Sequence, residues 1–116
     1  MNALNTRVTN TKKGGIVRFV YITNSNGCFG ICLDFNIIEE GKNEAEVYKN
    51  LETAVQLHID TVKKNNLSDD LLNRLAPKEY WDIYDDFHTK NALRRKGKTS
   101  LKAEEYTSEG ALSFAR

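Results

Sequence analysis

Four polar residues, Asn24-Ser25-Asn26-Gly27, separate two apolar runs, and this interruption constrains the chain more than any other feature of it. The first run, Ile16 to Thr23 (IVRFVYIT), is rich in β-branched and aromatic residues, with Val17, Phe19 and Tyr21 alternating against Arg18. In the second, Cys28 to Phe35, alternation puts Phe29, Ile31, Leu33 and Phe35 on one face and Cys28, Gly30, Cys32 and Asp34 on the other. Asn and Gly both tolerate positive φ, so Asn26-Gly27 between such runs predicts a tight antiparallel hairpin. Asn36 to Glu40 (NIIEE) reads as a short third strand that Gly41 closes.

The sequence then changes period. Asn43-Glu44-Ala45-Glu46 is close to a capping box, in which the Asn43 side chain caps an orphan N–H and Glu46 reaches back. Val47, Leu51, Ala54, Val55, His58 and Val62 follow at helical spacing, flanked by Tyr48 and Ile59. Lys63 and Lys64 suit the negative end of the helix dipole. An apolar stripe needs a sheet face to cover it, and the hairpin supplies one. The expected fold class is therefore α+β: a three-stranded antiparallel sheet packed on one long helix, as a two-layer sandwich. Ser68-Asp69-Asp70 predicts a cap for a short helix through Leu75, and Pro77 suits the first turn of another. On that helix Tyr80, Trp81, Tyr84 and Phe87 form an aromatic face. The expected organisation is a polar arm (1–15), a β-β-β-α domain (16–66), a helical extension (67–96) and a C-terminal tail (97–116).

Charge is segregated along the chain. Residues 1–33 carry four Lys/Arg and no acid; residues 34–86 carry six Lys/Arg and thirteen Asp/Glu; residues 87–116 carry seven Lys/Arg and three Glu. An acidic middle between basic ends reads either as solvated surface or as a body suited to a basic partner. No stretch approaches the ~20 apolar residues that span a bilayer, and Met1 to Gly15 lacks the apolar region of a secretory signal. A cytoplasmic location and no membrane partner are expected. Cys28 and Cys32 would sit ~13 Å apart on one strand face, too far for a disulfide, and read as two buried or half-buried thiols.

A search for catalytic patterns finds no phosphate loop, dinucleotide fingerprint, paired-histidine zinc motif or nucleophile elbow. Lys12-Lys13-Gly14-Gly15 precedes a strand, so no helix N-terminus is there to receive a phosphate. Asp34 is the one carboxylate within a strand that suggests a metal ligand, and Glu39 and Glu40 fall on opposite faces, so no carboxylates converge on a metal. His58, inside the apolar stripe, reads as a half-buried histidine with a satisfied ring nitrogen. No enzyme, metal or cofactor is expected; a small hydrolase using Asp34 and His58 is the weakest of the readings. Trp81, Tyr84 and Phe87 pack against the main domain or present a hot spot to a partner. Arg94, Arg95, Lys96 and Lys98 form a short basic cluster that is either solvated surface or a phosphate contact.

The stretch Gly27 to Val55, GCFGICLDFNIIEEGKNEAEVYKNLETAV, resembles the HicB family of antitoxins. Phe29-Gly30-Ile31-Cys32-Leu33-Asp34-Phe35 matches the family's second strand and its Asp-containing exit. Gly41-Lys42-Asn43, Glu46-Val47, Asn50-Leu51 and Ala54-Val55 match its helix cap and first turns. Leu33 stands where many members have proline, Asn43 where Thr is usual, and Val47 and Thr53 where Ala and Glu are common. The resemblance covers residues 16–66. It implies a partial ribonuclease-H-like fold without the nuclease's carboxylate cluster. It also implies a function: an antitoxin that binds and neutralises HicA, a short basic toxin that cleaves mRNA. Partner contacts would then fall among Asp34, Glu39, Glu40, Trp81, Tyr84 and Phe87. Members form dimers or tetramers and commonly bind operator DNA through a C-terminal module, but Leu67 to Leu93 shows no helix-turn-helix pattern. The competing expectation is a stand-alone nucleic-acid-binding transcriptional regulator that uses Arg94, Arg95, Lys96 and Lys98.

Overall fold

A computed structural model describes residues 10–90, 94–96 and 99–107. The fold is α+β. Its antiparallel sheet contains β1 (Ile16–Asn24), β2 (Gly27–Cys32), β3 (Ile37–Gly41), β4 (Arg94–Lys96) and β5 (Thr99–Thr107), in the order β3-β2-β1-β5-β4. Helix α1 (Glu44–Lys64) follows β3, and a 3-10 turn (Asp69–Leu72) leads to helix α2 (Lys78–Lys90). Among the described residues the sheet thus has five strands rather than the expected three. Residues 99–107, expected to be tail, pair with the whole length of β1, from Ile16↔Thr107 to Thr23↔Ser100. Residues 94–96, expected to end a helix, form the short edge strand β4.

The hairpin forms, with its turn one residue earlier than the Asn-Gly signal implies. Asn24 pairs with Gly27, so Ser25-Asn26 is the loop, and only Gly27 takes a positive φ (126°). The Asn24 side-chain oxygen accepts from the Asn26 N–H at 2.9 Å, fixing the bend. β2 stops at Cys32 rather than Phe35, because Leu33 to Asn36 turn the chain and Asn36 adopts φ 55°. Alternation fails across that turn. Phe35 joins Cys28 and Cys32 in the core beneath α1, while Leu33 stays with Ile31 on the opposite face.

Helix α1 begins where the cap signal places it. Asn43 is extended, and its side chain accepts from the Glu46 N–H at 2.9 Å. Val47, Leu51, Val55, Ile59 and Val62 are buried, so Ile59 belongs to the stripe and Ala54 and His58 lie at its margin. This stripe meets Val17, Phe19 and Tyr21 of β1 and both free cysteines of β2. At ~1.5–3 kcal/mol for each fully buried aliphatic side chain, the stripe is a large part of what holds the helix down.

A second core fills the other face of the sheet. Val20, Ile31, Leu33 and Ala103 pack against Ala76, Trp81 and Tyr84 of α2 and its approach. The architecture therefore has three layers, helix–sheet–helix, where two were expected. The helices are offset: α1 lies over β2 and β3, and α2 lies over β5.

The end of the N-terminal arm is docked rather than free. Asn10 is buried; its side-chain amide donates to Leu72 O (3.1 Å), and its side-chain oxygen accepts from the Ile16 N–H (2.7 Å). Asn73 answers with both ends of its amide, accepting from Asn10 N–H and donating to Asn10 O, each at 2.8 Å.

Gly30 sets the distance between β2 and α1. A Cβ there would lie 2.6 Å from Val47 Cγ1 and 2.8 Å from Leu51 Cδ1, both in fully buried side chains. Gly30→Ala is expected to lower stability by ~1–3 kcal/mol through overpacking. Urea unfolding checks this; an unchanged midpoint would mean that the helix sits more loosely than the geometry requires.

Candidate functional site

Asp34, the first of the expected partner contacts, lies inside the protein. It is 1% exposed and pairs with Arg18, whose guanidinium reaches Oδ2 at 2.5 Å while its backbone N–H donates to Oδ1 at 2.8 Å. The turn around Asp34 is held from both sides. Leu33 N–H donates to Arg18 O, and Ala76 N–H donates to Leu33 O, both at 2.8 Å. The guanidinium also lies 5.4 Å from the centre of the Trp81 ring and 5.9 Å from that of Tyr84. Tyr84 hydroxyl donates to Glu105 on β5 at 2.5 Å, and Glu105 is the cross-strand neighbour of Arg18. Burial raises the Asp34 carboxyl to about 6 against the opposing pull of Arg18. Asp34 is thus an internal counter-ion and not a surface for a partner.

The aromatic face of α2 is likewise structural. Trp81 is fully buried, Tyr84 nearly so, and Phe87 is half-buried against the same core. Packing is what Trp81 and Tyr84 provide. His58 is half-buried, its Nε2 2.5 Å from Leu71 O and its ring 4.8 Å from Phe35, the satisfied histidine expected of that position. The backbone of Arg94, Arg95 and Lys96 pairs with Leu101, Ser100 and Thr99, placing these residues on edge strand β4. Lys98 lies outside the described residues.

Acids of the middle segment meet cations of both ends. Asp34 pairs with Arg18, Asp69 with Lys12 at 3.0 Å, and Glu44 with Lys102 at 2.6 Å. Three of the thirteen acids of the middle segment are thus paired with cations of the two ends. For Glu39, Glu40 and Glu46 no ion pair is found among the described residues. Glu39 lies on the α1 face of β3 and Glu40 on the other, while Glu46 of α1 packs against Gly41 at the end of the strand. Ile38, which shares the face of Glu40, is 52% exposed. Asn50 of α1 donates to the Glu40 carbonyl at 2.9 Å and ties the helix to this strand.

On the α1 side of β5, Tyr106, Tyr48 and Phe19 form a second polar-aromatic cluster, with Phe19–Tyr106 centroids 5.0 Å apart and Tyr48–Tyr106 5.6 Å. Tyr106 donates to Glu104 and Tyr48 to Glu52. Arg18, Glu105, Asn10 and this cluster were not singled out by sequence reasoning. For Arg18 a signal existed: one cation in an otherwise apolar strand must find a counter-charge or solvent.

Among the described residues, no group of three His, Cys, Asp or Glu side chains is placed to hold a metal ion. No helix among them is long and apolar enough to cross a membrane. No protein family, curated protein or solved structure was found to match the chain.

Two predictions test the buried network. Arg18→Met should cost about 3–5 kcal/mol, because it strands a buried carboxylate. Adding Asp34→Asn should recover most of that, since an amide oxygen still accepts the backbone N–H of position 18 and carries no charge. Denaturant unfolding of the single and double variants decides it, and a well-tolerated single variant would show the pair to be unimportant. The second concerns alkaline pH. Burial, then the bond to Glu105, push the Tyr84 phenol up to about 12. The unfolded value is about 10, so the folded state holds its proton more tightly. That stability is fully present below pH 10 and is lost as pH rises towards 12. Tyr84→Phe should lose less stability than the parent over this range; equal losses would remove Tyr84 as the cause.

Proposed function

We propose that the chain is the antitoxin of a type II toxin–antitoxin pair, which binds and neutralises a small basic mRNA-cleaving toxin like HicA. The observation that carries this reading is the acidic group Glu39, Glu40 and Glu46. The fold does not use these charges internally among the described residues, and Glu40 shares its face of β3 with an exposed Ile38. An exposed apolar side chain on an acidic edge strand complements a partner with a positive surface. The resemblance of residues 27–55 to HicB antitoxins supports the same reading. Its matched positions have physical roles here: Asn43 caps α1, Asn50 ties α1 to β3, and Val47 and Leu51 pack on Gly30. A second reading, a nucleic-acid-binding regulator, is favoured by one feature: Arg94, Arg95 and Lys96 occupy the sheet edge opposite the acidic one.

Co-expression with a short basic reading frame beside the gene tests the proposal. A stable complex and relief of growth arrest are expected. Glu39→Lys with Glu40→Lys should weaken that complex by tenfold or more, most strongly at low salt. If the parent protein forms no complex, the antitoxin reading fails. Binding to upstream DNA at low salt, measured alongside, decides the second reading.

A further inference from the structure

We infer that the free edge of β3 is an acceptor for an extended strand of a basic partner, with cationic side chains on the α1 face and apolar ones on the other. This rests on the reading above that the chain takes a basic partner, and it specifies where and how.

Among the described residues, β3 is the last strand on its side of the sheet. Two observations fix which of its backbone groups point outward. Asn50 donates to the Glu40 carbonyl, and Leu33 N–H donates to Arg18 O. In an antiparallel ladder, hydrogen-bonded positions alternate. Arg18–Leu33 bonding therefore assigns Ile31 and Phe29 to β1, and Cys32, Gly30 and Cys28 to their β3 partners Ile37, Glu39 and Gly41. Ile38 and Glu40 then face outward. With the Glu40 carbonyl taken by Asn50, the edge offers the N–H and C=O of Ile38 and the N–H of Glu40.

The side chains set the chemistry of what can dock. Ile37, Glu39 and Gly41 lie on the α1 face, where Glu46 extends the acidic character beyond the end of the strand. Ile38 and Glu40 lie on the opposite face, Ile38 paired with Ile31 and Glu40 with the partly buried Phe29. An incoming strand with alternating cationic and apolar residues meets Glu39 and Glu46 on one face, and Ile38 with Glu40 beside it on the other.

A second copy of the chain fits this edge poorly. The two-fold that pairs all five residues of β3 passes through Glu39, setting it against its own equivalent and Ile38 against Glu40. A two-fold at Ile38 reaches Asn36, whose φ of 55° ends the strand after three pairs. The edge therefore disfavours self-pairing and favours a basic strand.

The test uses the full chain and three capped ten-residue peptides: alternating Lys-Val, the same peptide with alternate backbone nitrogens methylated, and alternating Glu-Val. Affinity is read by fluorescence anisotropy and location by amide NMR shifts. The Lys-Val peptide should bind and shift the Ile38 and Glu40 amides, and the other two should bind at least tenfold more weakly. Ile38→Pro removes an outward donor and no bond within the sheet, so it should keep the parent circular dichroism and lose at least tenfold in affinity. Should that variant unfold, the methylated peptide on the parent chain decides alone. The inference is overturned if the methylated or Glu-Val peptide binds as tightly as Lys-Val, if a folded Ile38→Pro binds unchanged, or if Ile38→Pro abolishes a dimer of the parent chain. A toxin complex that survives Ile38→Pro sinks the edge and spares the antitoxin reading. Peptide binding without any toxin complex does the reverse.

Discussion

A guanidinium in the middle strand of a sheet with a helix on each face has few ways to be tolerated, and the way Arg18 is tolerated organises the molecule. Its charge needs a carboxylate at hydrogen-bond distance, because desolvating an unpaired cation costs several kcal/mol or more. Asp34 meets that need only because the chain leaves β2 at Cys32 and turns through Leu33 to Asn36. The turn then presents the Leu33 carbonyl to Ala76, which brings in the segment leading to α2. Helix α2 in turn lays Trp81 and Tyr84 against the guanidinium and reaches Glu105 on β5. One cation thus links the middle strand, a turn, the second helix and the C-terminal strand.

The same interaction explains which parts of the fold were legible from sequence. The hairpin and α1 are local: their turn residues, cap and apolar periods lie within contiguous stretches, so they can be read one element at a time. Asn43, Val47, Leu51 and Val55 carry that signal without help from elsewhere. Strand β5 is different. In Thr99–Thr107 the face turned to α2 offers only Leu101 and Ala103, followed by Glu105, and the other face offers Lys102, Glu104 and Tyr106. Such a segment becomes a strand because β1 has an edge to pair, not because of its own pattern. Val20 and Ile22 beside Arg18 were the available clue. A first strand with apolar residues on both faces implies a covering layer on each, and the aromatic residues of α2 supply the second.

The candidate site was legible in a similar, partial way. Asp34 stood out as a carboxylate in an apolar context, but its partner lies sixteen residues earlier, and pairing across a sheet cannot be read from spacing alone. Glu39 and Glu40 stood out only as acids in a short strand. Their position at the end of the strand order, next to an exposed Ile38, depends on where all the other strands go.

The distribution of charge follows from that topology. Cations near the chain ends fold back onto acids of the middle, so that Arg18, Lys12 and Lys102 neutralise Asp34, Asp69 and Glu44. What stays outside this pairing near β3 is Glu39, Glu40 and Glu46. Carboxylates on an edge strand oppose pairing with another copy, which any exposed edge otherwise invites. The same carboxylates attract a strand of opposite charge. One set of side chains therefore does both, and no substitution of Glu39 can strengthen self-avoidance without also changing which partner the edge accepts. On the reading proposed above, protection from self-association and selection of a basic partner are, at this edge, a single electrostatic property.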